Sequence, residues 1–115
     1  MFQLLQPTPV ALTISTTLTI AQMTTRIIGI ASATAVNLTL PTGTLCDAGL
    51  ASGNLPIGGA FDWCLQNTGS AAGIATLLAG TGHAIKGLAT LPILASCQFR
   101  TLKTAANTFE TWRIS

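Results

Sequence analysis

The residues able to do acid–base or nucleophilic chemistry are few in this chain of 115 amino acids. It holds one histidine, His83, together with three acidic residues and three cysteines. A hydrolytic site would need a nucleophile, a base and an orienting carboxylate close together. The candidate partners of the histidine are Asp62, Cys64 and Ser96. No local nucleophile motif supports such a site, so we expect no catalytic residues and no enzymatic activity.

Cofactor and metal signatures are also missing from the sequence. Residues 80–86 superficially resemble a phosphate-binding loop, but they lack its Gly-Lys-Ser/Thr signature and no helix pattern follows them. The cysteines Cys46, Cys64 and Cys97 show no zinc-type spacing. We therefore expect no cofactor and no metal. Because the chain does not begin like an export signal, we expect these thiols to be free and buried.

The low charge of the chain bears on its partners. Charged residues make up 7% of the sequence, against roughly 25% in a typical soluble domain. The net charge of +2 is too small to neutralise many phosphates, which argues against nucleic-acid binding. A weakly charged surface favours association, because little repulsion opposes contact. We expect a subunit of an assembly; the alternative is a monomer with a neutral, threonine-rich β surface.

A membrane protein would also be apolar and poorly charged. Residues 1–25 carry no charge, but Pro7, Pro9 and several polar residues interrupt them. No window reaches the ~20 predominantly apolar residues that a spanning helix needs. We therefore expect no membrane partner.

Alternation of apolar and polar residues predicts the elements that would position these side chains. About eight short strands with turn signals between them favour an all-β fold, an antiparallel β-sandwich with jelly-roll-like topology. One strand is predicted over residues 12–20, and the strongest over residues 60–67. A short helix is predicted near residues 44–51, with Thr44 as N-cap and Asp47 in its first turn. Residues 12–115 form the single domain, and residues 1–11 an N-terminal arm.

Aromatic and charged residues on the predicted strands are the candidate contact residues. Trp63 shares a face with apolar residues and is assigned to the core. For Trp112 the sequence allows two roles, packing in the core or stacking with a sugar. Asp62 is a ligand contact or an acid, or else the partner of a cross-strand cation, Arg100 or Lys86.

The last two strands carry the only basic cluster. It is interpreted either as a subunit interface or as edge charges that block unwanted strand pairing. With the nearby tryptophan, the candidate interface residues are Arg100, Lys103, Arg113 and Trp112.

Four segments carry a resemblance to a known group of proteins. They are LTLPTG (residues 38–43), FDWCLQN (61–67), AGTGH (79–83) and FRTLKTAANTF (99–109). Together they resemble a small β domain of the virion structural proteins of tailed bacteriophages, notably phages of cyanobacteria. The resemblance spans most of the chain, but residues 1–10 depart from it.

The resemblance implies a non-enzymatic capsid decoration (cement) protein. Such a protein would form a homotrimer on the outer surface of the capsid in the virion and bind the major capsid protein there. An uncharged N-terminal arm would dock by adding a strand to a neighbour, through the candidate contact residues Phe2, Leu4 and Leu5. The alternative is a tail-fibre or receptor-binding β domain that recognises host glycans.

Overall fold

The described residues of this computed structural model are 6, 8–50, 55–87 and 89–115. Phe2, Leu4 and Leu5, the predicted arm contacts, lie outside them. The strands are β1 (Val10–Leu12), β2 (Thr16–Thr17), β3 (Ile27–Ile30), β4 (Val36–Thr39), β5 (Ala60–Asn67), β6 (Ala75–Leu78), β7 (His83–Lys86), β8 (Thr90–Leu91), β9 (Ala95–Ala105) and β10 (Thr108–Arg113). The helices are α1 (Ile20–Met23) and α2 (Gly43–Leu50). The prediction of a mostly β protein with a short helix near residues 44–51 is confirmed.

The strands form two sheets. The larger has the order β1-β3-β5-β9-β10-β7, and the smaller has the order β2-β4-β6-β8. From β1 to β6 successive strands alternate between the sheets, and a short helix precedes each return to the larger sheet. The chain therefore winds as a flattened coil, in the manner of stacked β-solenoid repeats.

The prediction of an antiparallel sandwich is only partly right, because the coil makes several strand pairs parallel. The pairs β1–β3, β3–β5, β2–β4, β4–β6 and β7–β10 are parallel, so both sheets are mixed, and the jelly-roll topology is not confirmed. The sequence offered no helix of 10–15 residues to connect parallel strands. From β1 to β6 each parallel connection is made instead by a strand of the opposite sheet and a helix of four or eight residues, whereas β7 and β10 are connected through β8 and β9.

The single strand predicted over residues 12–20 is divided in two. β1 ends at Leu12 and pairs with β3, whereas β2 begins at Thr16 and pairs with β4 in the other sheet. The Ser15 hydroxyl accepts a hydrogen bond from the Asn37 backbone N–H at 2.9 Å in the turn between them. The alternation of residue types continues through this turn, which is why the sequence pattern concealed it. β1 also begins two residues before the predicted domain boundary at residue 12.

The core lies between the two sheets. β5 and β9 pair along eight residues and place Trp63 opposite Phe99. The two rings stack with centroids 4.8 Å apart. Both side chains are buried, which confirms the prediction that Trp63 belongs to the core. Burial of aromatic side chains of this size dominates the energetics of a small core.

Helix α2 is capped two residues earlier than predicted. The Thr42 hydroxyl, rather than that of Thr44, accepts the Leu45 backbone N–H at 3.2 Å. Asp47 takes no part in the cap, since its carboxylate binds the Lys103 ammonium at 2.6 Å and the Asn107 backbone N–H at 3.1 Å. The carboxylate thereby ties α2 to the β9–β10 hairpin.

No helix in the described ranges is long and apolar enough to cross a membrane.

Candidate functional site

His83 lies in the interior at the start of β7, with 6% of its surface exposed. None of the three partners considered from the sequence contacts it: Asp62 and Cys64 lie on the outer face of β5, and Ser96 pairs with Gln66 on that face. Its ring nitrogens instead bind the Thr111 hydroxyl at 2.6 Å and the Pro41 carbonyl at 3.1 Å. The polar neighbours come from distant segments, so sequence spacing gave no signal for them.

A chain of buried hydrogen bonds runs from Trp63 to this histidine. The Trp63 indole donates to the Thr101 hydroxyl at 3.0 Å, and the Thr101 and Thr111 hydroxyls are 2.8 Å apart. An indole N–H can only donate and a carbonyl can only accept. Every group is satisfied when each threonine donates onward, so that Nε2 of the histidine accepts and its Nδ1–H donates to the Pro41 carbonyl. This orientation requires the neutral imidazole.

The nearest thiol to the imidazole is that of Cys46, with Sγ 3.8 Å from Nδ1. Burial, and secondarily the neighbouring Asp47 charge, raise the pKa of this thiol to about 11. A nucleophilic cysteine needs a lowered pKa to supply thiolate, so this thiol stays protonated at neutral pH. The geometry supports a packing role for the pair. All three cysteines are free, as predicted; Cys46 and Cys97 are buried and Cys64 is half-buried.

We expect the stability of the protein to fall as the pH drops below about 6.5. Burial lowers the pKa of His83 from its ordinary value of 6.5, against the opposing effect of its hydrogen bond to the Pro41 carbonyl. The unfolded chain therefore binds a proton in a pH range where the folded chain does not. The free energy of unfolding is therefore highest above pH 6.5, where the imidazole is neutral in both states. It decreases as the pH falls toward the lowered pKa of the folded protein. Urea titrations at a series of pH values measure this slope.

A His83→Gln variant is the control, because it should lose the slope between pH 6.5 and about 5, above the range in which aspartates titrate. Arg100 and Lys103 lower the pKa values of Asp62 and Asp47 from an ordinary 3.8, so these carboxylates act only at more acidic pH. A wild-type slope that persists in the variant would contradict the assignment to the histidine.

In the described ranges, no group of three or more His, Cys, Asp or Glu side chains is placed to hold a metal ion.

Several exposed charged and polar side chains lie on the outer face of the larger sheet. Arg100 binds Asp62 across β5 and β9 through two hydrogen bonds of 2.6 and 3.0 Å, which confirms the expected cross-strand pair. The Gln98 amide donates to the same carboxylate at 3.4 Å. These donors hold the pKa of Asp62 below its usual range, with Arg100 the largest cause.

The candidate interface of Arg100, Lys103, Arg113 and Trp112 is divided between the two faces of the sheet. Arg100 and Trp112 are directly opposite each other on β9 and β10 and point outward. Lys103 binds Asp47, and Arg113 donates to the Thr90 carbonyl at 2.8 Å. Successive strand residues point to opposite faces, so adjacent positions 112 and 113 do not share a surface.

Trp112 is 45% exposed and lies in a row of charged side chains. The register places it beside Arg100 on one neighbouring strand and Lys86 on the other. Its indole donates to the Glu110 carboxylate at 3.1 Å, which fixes the ring on the outer face. An exposed aromatic ring between two cations is a surface suited to stacking with a ligand.

An open pocket of about 620 Å³ lies at one end of the same face. Its lining includes Thr24, Arg26, Ala60, Phe61, Asp62 and Arg100. The sequence drew attention to Asp62 and Arg100 but not to Arg26, which precedes β3. No pattern marks that arginine, because the fold alone brings the α1–β3 turn beside β5.

Arg26 has a backbone conformation that favours glycine, with φ of 74°. Its N–H donates to the Met23 carbonyl at 3.1 Å, and its carbonyl accepts from Cys64 at 2.7 Å. These bonds turn the chain from α1 into β3. Glycine is the usual residue at such a left-handed turn after a helix, so an arginine there is retained against a local strain.

We expect an Arg26→Gly variant to be about 1 kcal/mol more stable than Arg26→Ala, since alanine keeps the left-handed strain and glycine removes it. Both variants lack the side chain, so the comparison isolates the backbone. Urea unfolding of the two proteins measures the difference. Equal stability would show that the turn is not strained.

Comparisons of the chain with protein-family models, with curated proteins and with solved structures find no match.

Proposed function

We propose that this protein is a non-enzymatic structural subunit of a bacteriophage virion, a capsid decoration (cement) protein that acts through its contacts. The sequence resemblance supplies the virion context. The supporting structural observation is that large apolar side chains are exposed on a nearly uncharged surface. Such a surface gains free energy when a neighbouring chain covers it.

Several of these apolar side chains lie on one edge of the sandwich. Ile14, Ile74 and Leu94 are 70%, 46% and 80% exposed. They lie in or beside the β1–β2, β5–β6 and β8–β9 connections, which the strand directions bring to the same edge. We name these three residues the apolar edge. Its side chains are available for contact with the major capsid protein or with a second copy.

Free strand edges offer a further means of docking. In the described part of the chain, β1 and β2 are the outermost strands of their sheets, on the same lateral side of the sandwich. A strand from a neighbour would extend either sheet through main-chain hydrogen bonds. In this proposal the arm of one copy, with Phe2, Leu4 and Leu5, supplies such a strand to the next copy in a homotrimer.

Binding on the outer capsid surface would stabilise the mature shell by mass action. A specific contact of this kind buries roughly 1,200–2,000 Å². Contacts that form only on the expanded shell lower the free energy of that state and of no other. The protein needs no catalytic group for this function.

The test measures the oligomeric state by light scattering and the binding to expanded and unexpanded capsids by co-sedimentation. We expect a discrete trimer that binds expanded capsids. Combined Ile14→Thr, Ile74→Thr and Leu94→Asn substitutions should abolish binding; asparagine is used at position 94 because φ there is 59°, a conformation that β-branched residues avoid. The matched control is Ile57→Thr, because Ile57 is 66% exposed but precedes β5, at the opposite edge. A monomer that ignores capsids would refute the proposal.

A receptor-binding domain for host glycans is the second candidate, and the exposed Trp112 favours it. Sugar rings stack on exposed indoles. The only other tryptophan, Trp63, is buried, so fluorescence quenching by a sugar would report the exposed ring. A glycan array without hits, or quenching that survives Trp112→Ala, would refute this candidate.

A further inference from the structure

We propose that the pocket lined by Arg26, Asp62 and Arg100 is a binding site for a carboxylate-bearing saccharide. This inference does not depend on the virion assignment or on Trp112, which is not among the described lining residues. The volume of about 620 Å³ falls within the roughly 300–1,000 Å³ of small-molecule sites. Two guanidinium groups and one carboxylate give these lining side chains a net positive charge.

Arg26 supplies the anion-binding element. Its guanidinium makes no hydrogen bond or ion pair with any residue in the described ranges, although it lines the same pocket as the ionised Asp62. Arginine presents five N–H donors in a planar fork that matches both oxygens of a carboxylate. The side chain is therefore available to bind a ligand carboxylate in two-point fashion.

Arg100 is oriented for the ligand by its pairing with Asp62. Two of its N–H groups bind that carboxylate, which fixes the plane of the guanidinium while leaving other donors unused. A fixed guanidinium loses less conformational freedom on binding than a mobile one. Arg100 is thus the second donor group of the site.

Asp62 distinguishes a sugar from a simple anion. Its oxygens accept three hydrogen bonds, of roughly four that a carboxylate can accept. The remaining capacity suits a hydroxyl donor, whereas its negative charge opposes a group that concentrates two charges at one point, as phosphate does. The pocket therefore combines anion binding with hydroxyl recognition.

The remaining lining residues match the rest of a sugar. The Thr24 hydroxyl donates to the Ala21 carbonyl at 3.1 Å, so its lone pairs remain as acceptors for hydroxyls. Ala60 and the half-buried Phe61 add apolar surface for the C–H groups of a pyranose ring. Donors, acceptors and apolar surface on one wall are what a polyhydroxylated acid requires.

The strained backbone of Arg26 gives an independent reason to assign a function to its side chain. Glycine would relieve the left-handed conformation, and no described contact of the guanidinium compensates for retaining arginine. Strained positions of this kind concentrate at ligand sites, where the side chain is used. The ligand is the missing partner in this proposal.

The test is isothermal titration calorimetry of the full chain with trigalacturonate, with α-1,4-galactotriose as the neutral match. We expect trigalacturonate to bind and galactotriose to bind at least about tenfold more weakly, as loss of a charge-assisted hydrogen bond predicts. Arg26→Gln should weaken trigalacturonate binding by a similar factor. Raising the salt concentration should weaken it further because the site is open.

Lys86→Gln is the matched control. Lys86 is exposed on the same sheet face, forms no ion pair in the described ranges, and lies on β7 away from the pocket. The Lys86→Gln variant removes the same charge as Arg26→Gln and should change trigalacturonate binding less than about twofold, as expected for a screened distant charge. Equal losses in both variants would show a general charge effect and overturn the site.

Arg26→Gly separates binding from folding, because we expect it to be more stable than Arg26→Ala yet to bind as weakly as Arg26→Gln. Three further results would overturn the proposal: no binding heat up to about 10 mM trigalacturonate, beyond the range of weak specific affinities; equal binding of the neutral trisaccharide; or equally tight binding of inorganic phosphate. None of these results bears on capsid binding, so the two proposals fail separately.

Discussion

Replacing Thr111 with valine is expected to lower the free energy of unfolding by about 2–4 kcal/mol. Valine matches the shape of threonine but removes the hydroxyl that joins His83 to Thr101. Both partners are buried, and each buried polar group left without a partner costs about 1–3 kcal/mol. In the described part of the chain no buried side-chain nitrogen or oxygen lacks a partner. The variant would make His83 Nε2 the first such atom and would leave the Thr101 hydroxyl proton without its acceptor, although Thr101 still accepts from Trp63.

Two companion variants separate the hydrogen bonds from packing. Thr111→Ser keeps the hydroxyl and loses one methyl group, for which we expect about 1 kcal/mol. Thr17→Val makes the same chemical change at an exposed strand position and should stay within about 0.5 kcal/mol of wild type. Urea unfolding measures all three. If serine cost as much as valine at position 111, packing rather than the hydrogen-bond chain would carry the effect.

The strands that alternate cleanly could be predicted from the sequence because their two faces meet different surroundings. In β5 the sequence placed Trp63 inward and Asp62 outward, and the structure has them so. The pair between Asp62 and Arg100 followed from the same alternation. A strand with one buried face carries that information in its own residues.

The path between the sheets could not be predicted in the same way. Whether two strands are parallel depends on how the chain returns, and nothing in β3 or β5 specifies that return. The turn between β1 and β2 keeps the alternation of a strand, although Ile14 in it is 70% exposed. Sheet membership is a property of the whole coil and leaves no local pattern.

The candidate sites show the same division. Asp62 and Arg100 were singled out by their opposite charges on two predicted strands. Arg26 was not, since its left-handed backbone is unusual for arginine and gave no signal. The basic cluster was inferred from the pairing of the last two strands in a hairpin, and the alternation of β9 and β10 places its members on different faces. Alternation identifies residues that share a sheet face, whereas only the fold brings Arg26 to the same pocket from a turn.

The contact between α2 and the hairpin turn depends on the absence of a side chain at Gly43. A Cβ atom there would lie 1.9 Å from the Asn107 carbonyl oxygen and 2.8 Å from that of Gly82. Both obstacles are backbone atoms that cannot rotate away. The Gly43 N–H also donates to the Thr81 carbonyl at 2.8 Å, which holds the helix start against the β6–β7 turn as well.

Gly43→Ala is therefore expected to destabilise the protein by about 3 kcal/mol or more, the upper range for forcing atoms into a packed interior. Gly29→Ala is the control, because its Cβ would meet only the Val10 carbonyl at 3.6 Å, and alanine suits a strand better than glycine by about 0.5–1 kcal/mol. Urea unfolding compares the two. A displaced α2 would also uncover Cys46 beside His83, so alkylation mapped to that thiol should accelerate. Wild-type stability with an unreactive Cys46 would mean that the helix start moves freely against the turn.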